Sequence, residues 1–275
     1  MEQGMREKVK TVVEFRNPYH IEPPGTLRQI LSHPTQENGV IELAIFQEHR
    51  YAFFFWNKWV QKCKTPEPPC LVSLDWHQDL CYPCETEKEW LNELDLLNDA
   101  DVSAFTWSKL NGLNDGQILA AAYLNLVGNI YVHCRQGNSK DAWKDEELID
   151  KFGNAHIIRK FEEFEELESF LLNSNEEKVF FDIDLDFFVL DSGLHNGIFE
   201  FTYLKKGRIK EILHSERALM KWIFKRLEGF TIATEPEHCG GLLKSNKFLD
   251  TINQFYFKPE LFSPKANWKW KNGDT

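Results

Sequence analysis

Five aspartates and two histidines, held in three short stretches, could do the chemistry in this chain. Leu74-Asp75-Trp76-His77-Gln78-Asp79 puts three polar ligands two residues apart where an apolar run ends. In extended backbone alternate side chains point the same way, so Asp75, His77 and Asp79 project together as the chain leaves a strand. Taken alone, such a stretch also reads as an acidic turn. A second stretch, Phe180-Phe181-Asp182-Ile183-Asp184-Leu185-Asp186-Phe187-Phe188, alternates three carboxylates within an aromatic run. Buried like charges repel one another and lose their hydration, so one or two cations must compensate them. A solvated acidic face on an edge strand is the competing reading, and it fits poorly with Phe on both flanks.

Two further places add donors. His49 follows an apolar run in Phe46-Gln47-Glu48-His49-Arg50 and can join the aspartates if that run is a strand of the same sheet. The late segment Thr231-Ile232-Ala233-Thr234-Glu235-Pro236-Glu237-His238-Cys239-Gly240-Gly241 reads as a strand ending in an acidic, Gly-rich loop. Its Glu235 and Glu237 are both acidic candidates that spacing does not separate, and His238 can move a proton or serve as an ordinary loop histidine. His133, inside an apolar run, is read as structural. Cys81-Tyr-Pro-Cys84 is the one suggestive cysteine spacing, but no second pair completes a zinc site and no thioredoxin-like unit surrounds it.

Apolar runs at Val40–Phe46, Cys70–Leu74, Asn129–Cys134, Ala155–Ile158, Lys178–Ile183 and Phe230–Ala233 read as buried strands. Helical periods fall between them at Tyr51–Lys64, Glu87–Leu97, Asp115–Val127, Phe161–Leu172 and Glu216–Leu227. This alternation predicts a three-layer α/β/α sandwich with a mainly parallel central sheet, whose strand carboxyl ends are where ligands bind. Ser215 is expected as an N-cap and Gly229 as a helix stop. The Pro-rich Thr65–Pro69 stretch is expected to be a loop. One catalytic domain over 1–275 is expected, with about 25 N-terminal and about 15 C-terminal residues peripheral and the tail, with Trp268 and Trp270, wrapping the surface.

The formal charge of −11 repels a polyanion and favours cationic substrates, which argues against nucleic acid as a partner. No run of eighteen apolar residues and no secretory pattern occurs, so a cytoplasmic protein with reduced thiols and no membrane association is expected.

A His after one strand, DxHxD after the next and DxD after a later one resembles the binuclear manganese site of the arginase and agmatinase superfamily, whose fold histone deacetylases share. In the finer text, EHRYAFFFW, SLDWHQDL and FFDIDLDFF are similar to the peptide arginase family, over roughly Val40 to Gly241. That resemblance implies an arginase-like fold, two Mn2+ and hydrolysis of arginine side chains in a ribosomally made precursor peptide to ornithine and urea. It implies one ion on His49, Asp75, Asp79 and Asp182 and another on Asp75, His77, Asp182 and Asp184, with Asp186 given no ligand position. Carboxylate and imidazole donors suit manganese better than thiolate-seeking metals. The resemblance also implies a guanidinium-binding glutamate at Glu235 or Glu237, with Glu237 and His238 as the catalytic candidates. Free-arginine enzymes carry GLDP where this chain has Leu185-Asp186-Phe187-Phe188, and that departure points away from free arginine. Two other functions stay open: a deacetylase-like amidohydrolase acting on acyl-lysine or a polyamine, and an inert metal-stabilised binding protein.

Overall fold

The computed structural model describes residues 21–63, 67–137, 140–195 and 198–272. The first twenty residues, and Thr65 and Pro66 of the expected loop, therefore lie outside the described residues. The strands are β1 (Leu27–Ser32), β2 (Val40–Phe46), β3 (Cys70–Leu74), β4 (Ile130–His133), β5 (Glu146–Ile149), β6 (Ala155–Phe161), β7 (Val179–Asp184), β8 (Val189–His195), β9 (Ile198–Tyr203) and β10 (Leu227–Ala233). The helices are α1 (Ala52–Val60), α2 (Glu85–Glu93), α3 (Asp99–Ser108), α4 (Gln117–Tyr123), α5 (Phe164–Leu172), α6 (Lys206–Ile212), α7 (Ala218–Arg226) and α8 (Leu242–Tyr256).

Eight strands form one sheet in the order β1-β2-β10-β7-β3-β4-β6-β5. The six inner strands run parallel, and β1 and β5 close the edges antiparallel. Strand alternation sends side chains to two cores. Leu43, Ile45, Val72, Phe181 and Ile183 join apolar residues of α5, α6, α7 and α8 on one face. Ala44, Phe46, Leu71, Ile130, Val132 and Phe180 join those of α1, α3 and α4 on the other. The result is the expected α/β sandwich with its mainly parallel central sheet. Among the described residues, no helix is long and apolar enough to cross a membrane.

Four local expectations change. Ser215 does not cap a helix: α7 starts after Arg217, without a side-chain cap. Phe161 ends β6 instead of opening a helix. Gly229 stops no helix but lies within β10, beside an irregularity in its pairing with β7. A Cβ there would lie 2.2 Å from the ring of Trp59, so the glycine lets an indole of α1 settle onto the sheet. The tail does more than wrap the surface, since Trp268 is fully buried and its indole N–H donates to the Ser32 carbonyl at 2.7 Å.

Candidate metal centre

Four adjacent strands carry the titratable residues at their carboxyl ends. His49 follows β2, Glu235 follows β10, Asp184 ends β7, and Asp75, His77 and Asp79 follow β3. The parallel ladder runs on past the strands: Thr234 N–H donates to Phe46 O, Glu235 N–H to Gln47 O, and Asp75 N–H to His133 O. Sheet register therefore brings together groups from distant parts of the sequence.

Four of the buried carboxylates in the cluster are each held by a backbone N–H through one oxygen. His77 N–H donates to Asp75 Oδ1 at 2.7 Å, Asp186 N–H to Asp184 Oδ1 at 3.0 Å, Trp76 N–H to Asp186 Oδ1 at 3.0 Å, and His49 N–H to Glu235 Oε1 at 3.0 Å. The second oxygens point toward the two imidazoles. His49 Nδ1 lies 2.7 Å from Asp79 Oδ2, 3.3 Å from Asp184 Oδ2 and 3.5 Å from Asp75 Oδ2. His77 Nδ1 lies 2.8 Å from Asp186 Oδ2. These close approaches are misaligned for hydrogen bonding: His49 Nδ1, Asp75 Oδ2 and Asp186 Oδ2 are all buried without a hydrogen-bond partner.

Such a cluster of acceptors needs a positive centre, because stranded buried acceptors and unneutralised like charges are each costly. Three groups have donor atoms close enough to hold one ion: His49, Asp75 and Asp79; His49, Asp184 and Glu235; and Asp75, His77 and Asp186. The residues present thus fit divalent cations in the manner expected of hard oxygen and imidazole donors.

The electrostatics record the same crowding. Burial, then the charges of Asp79, Asp186 and Asp184, push the Asp75 carboxyl well above its usual range. Burial, then Asp186 and Glu235, do the same to Asp184, and burial is the largest cause of the rise at Glu235. At His49 burial favours the neutral ring, but the carboxylates of Asp182 and Asp79 outweigh it and raise the imidazole. Burial would raise Asp186 too, yet its contact with His77 brings it below the ordinary value.

Asp182, expected to bridge two ions, belongs to none of the three groups. Its Oδ2 lies 2.8 Å from His49 Nε2 and accepts the Ser73 hydroxyl at 2.8 Å, while its Oδ1 accepts the Thr231 hydroxyl at 2.6 Å. Asp184 instead joins His49 and Glu235, Asp186 joins Asp75 and His77, and Asp75 is the residue common to a His49 group and the His77 group. The DxD pair that enters these groups is thus Asp184 and Asp186, one alternate residue later than expected, while Asp182 meets His49 from the other side of its ring; β7 continues through Asp184 and only then turns.

A cleft of about 300 Å³ opens onto the cluster, with Asp79, Asn114, Asp115, Glu235 and His238 among its walls. Of the five described non-glycine residues with positive φ, three are here: Asp79 at 54°, Asn114 at 59° and Glu235 at 26°. Backbone strain of this kind concentrates at functional sites. Glu235 is 3% exposed, with Oε2 lying 3.7 Å from His238 Nε2, and the His238 ring stands 5.1 Å from that of His77. Glu237 departs from expectation: it is exposed and outside the cleft walls. Gln117, not foreseen, donates to Asp79 Oδ2 at 2.6 Å from the start of α4. A larger cavity of about 860 Å³, walled in part by Tyr256 and Trp270, includes none of the clustered residues.

His133 is buried, with Nδ1 2.9 Å from Phe161 O and its ring between Phe164 and Phe187. Burial lowers it to about 4, as suits a neutral structural histidine. Cys81 and Cys84 are exposed thiols.

No protein-family model matches the chain, and no curated protein does. Among solved structures it is similar to agmatine ureohydrolase of Thermoplasma volcanium, 13% identical with a TM-score of 0.40, over 75% of this chain and 59% of that one. It is also similar to Helicobacter pylori arginase, 13% identical with a TM-score of 0.40, over 76% of this chain and 71% of that one. The chain thus spans about three-fifths of the first of these proteins.

Proposed function

We propose that this chain is a two-manganese, arginase-like hydrolase that acts in the cytoplasm on arginine side chains of a ribosomally made precursor peptide, yielding ornithine and urea. One observation carries the reading: inward carboxylate oxygens and two imidazole nitrogens converge, yet His49 Nδ1, Asp75 Oδ2 and Asp186 Oδ2 have no hydrogen-bond partner. His49, Asp75, Asp79 and Asp184 would hold one ion, and Asp75, His77, Asp184 and Asp186 the other. Bound there, the two cations supply Lewis acidity and a water acidic enough to serve as nucleophile near neutral pH.

In the reaction a water oxygen adds to the guanidinium carbon, and the bond from that carbon to the side-chain nitrogen breaks. The nitrogen takes a proton and leaves as the ornithine amine, while the carbon departs in urea. Glu235, fixed through Oε1 by His49 N–H, offers Oε2 to the planar guanidinium as a charge-assisted acceptor. His238, 45% exposed in the mouth beside Glu235 and His77, can deliver the proton to the departing nitrogen.

The walls of the cleft favour a peptide arginine over the free amino acid. They include Asp79, Asp115 and Glu235 but, among the described residues, no Lys or Arg. Free arginine brings an α-carboxylate that such walls repel, whereas an arginine within a peptide has none. Leu113, 78% exposed on the rim, offers apolar surface to flanking peptide residues.

Metal analysis tests the reading. After loading with Mn2+ and removal of excess, the chain should retain two ions, and Asp75→Ala should retain neither firmly. One ion at saturation, or full activity with zinc alone, would overturn it.

A further inference from the structure

We propose that Asp182 is a positioning residue that orients the His49 imidazole for a cation without touching the cation itself. The inference rests on the two-cation reading and concerns a carboxylate which that reading leaves outside both ligand sets.

The rack around Asp182 comes from sheet register. In the ladders, Asp182 of β7 stands level with Ser73 of β3 and Thr231 of β10. Level residues of neighbouring parallel strands project from the same face, so two hydroxyls flank the carboxylate and both donate to it, at 2.8 and 2.6 Å. All three residues are fully buried. The remaining direction from Oδ2 leads to His49 Nε2 at 2.8 Å.

An imidazole that donates Nε2–H to a carboxylate presents a lone pair at Nδ1, and Nδ1 is the atom facing Asp75, Asp79 and Asp184. Asp182 thereby selects the tautomer and the ring plane in which Nδ1 can act as a ligand, and makes that nitrogen a better donor. Ser73 and Thr231 in turn keep the carboxylate from swinging toward the cluster. A direct ligand would have one oxygen aimed at the other inward oxygens. Both oxygens of Asp182 are instead engaged behind the imidazole.

The test uses full-length Asp182→Asn, which keeps size but weakens acceptance from Nε2. Manganese binding is read by electron paramagnetic resonance across a range of free Mn2+, alongside melting of the metal-free protein. Two ions still bound at saturation, with affinity about 10- to 100-fold weaker and a melting temperature near wild type, is the expected result. Unchanged affinity would overturn the inference and leave Asp182 a packing residue. Loss of an ion at saturation would overturn it the other way, making Asp182 a direct ligand. If Asp182→Asn does not fold, Ser73→Ala combined with Thr231→Val keeps the carboxylate and frees it from its rack; weaker Mn2+ affinity with unchanged stoichiometry is then expected, and wild-type affinity would overturn the inference. Wild-type protein that binds no Mn2+ sinks the two-cation reading itself, which this comparison separates from failure at Asp182.

Discussion

His77 Nδ1 and Asp186 Oδ2 face each other at 2.8 Å, yet the carboxylate oxygen accepts no hydrogen bond. An imidazole and a carboxylate that meet closely but misaligned share a common target more readily than they satisfy each other. Asp186 should therefore matter to metal binding although its place in the sequence lies beyond the DxD pair expected to bind. Asp186→Ala is expected to weaken the second ion by about 100-fold or more while the first is retained. Retention of two tightly held ions would show that His77 needs no such partner.

Glu235 and Glu237 separate cleanly. Glu235 lies buried in the cleft, whereas Glu237 is exposed outside it. Glu235→Gln should cost about 10- to 100-fold in kcat/KM, the worth of a charge-assisted hydrogen bond, with manganese content kept. Glu237→Gln should behave as wild type. The opposite ranking would move the guanidinium to the outer carboxylate.

Protons and cations compete for this cluster, and the sign of the effect follows from the groups involved. Burial and mutual repulsion raise Asp75, Asp184 and Glu235, and at His49 neighbouring carboxylates outweigh burial to raise the ring. The folded, metal-free protein therefore holds these protons to higher pH than the unfolded chain does. Their stabilising contribution is complete below the unfolded values, about 4 for the carboxyls and about 6.5 for the imidazole, and is lost as pH rises through the folded ones. Asp186, lowered by His77, contributes in the other direction, above the usual carboxylate range. Metal-free protein should melt higher near pH 5.5 than near pH 8, and added Mn2+ should stabilise more at the higher pH. A metal-free melting temperature that climbs steadily across that window would contradict the charge balance.

Packing offers a test away from the site. Gly229→Ala would place a methyl 2.2 Å from the Trp59 ring, and it should cost about 1–3 kcal/mol in denaturant unfolding. A neutral substitution would mean that α1 can lift from the sheet without penalty.

The inner strands were legible because buried parallel strands are short apolar runs: β2 and β3 fall where Val40–Phe46 and Cys70–Leu74 were read. Both edge strands were missed, since β1 and β5 carry Arg28, Gln29, Glu146 and Glu147 and pair on one side only. Helix α8 was missed although Ser245, Phe248, Ile252 and Tyr256 keep helical spacing, because polar residues between them dilute the period. At the site, residue types with alternation marked His49, Asp75, His77, Asp79 and the Asp182–Asp186 run as donors. Which two of three alternating aspartates join the donor groups, and which one backs His49 from behind, depends on where β7 ends relative to β3 and β10. That is a property of pairing, carried by Ser73 and Thr231, whose small hydroxyls look like ordinary strand residues until register sets them beside Asp182.

The most direct measurement is mass spectrometry of an arginine-containing precursor peptide, encoded beside this gene, after incubation with the manganese-loaded protein and with urea assayed in parallel. Arginine residues are expected to lose the elements CH2N2, leaving ornithine and one urea per conversion, while free arginine reacts slowly or not at all. A peptide left unchanged by protein shown to carry two ions, or release of acetate from acetyl-lysine peptides instead, would contradict the account.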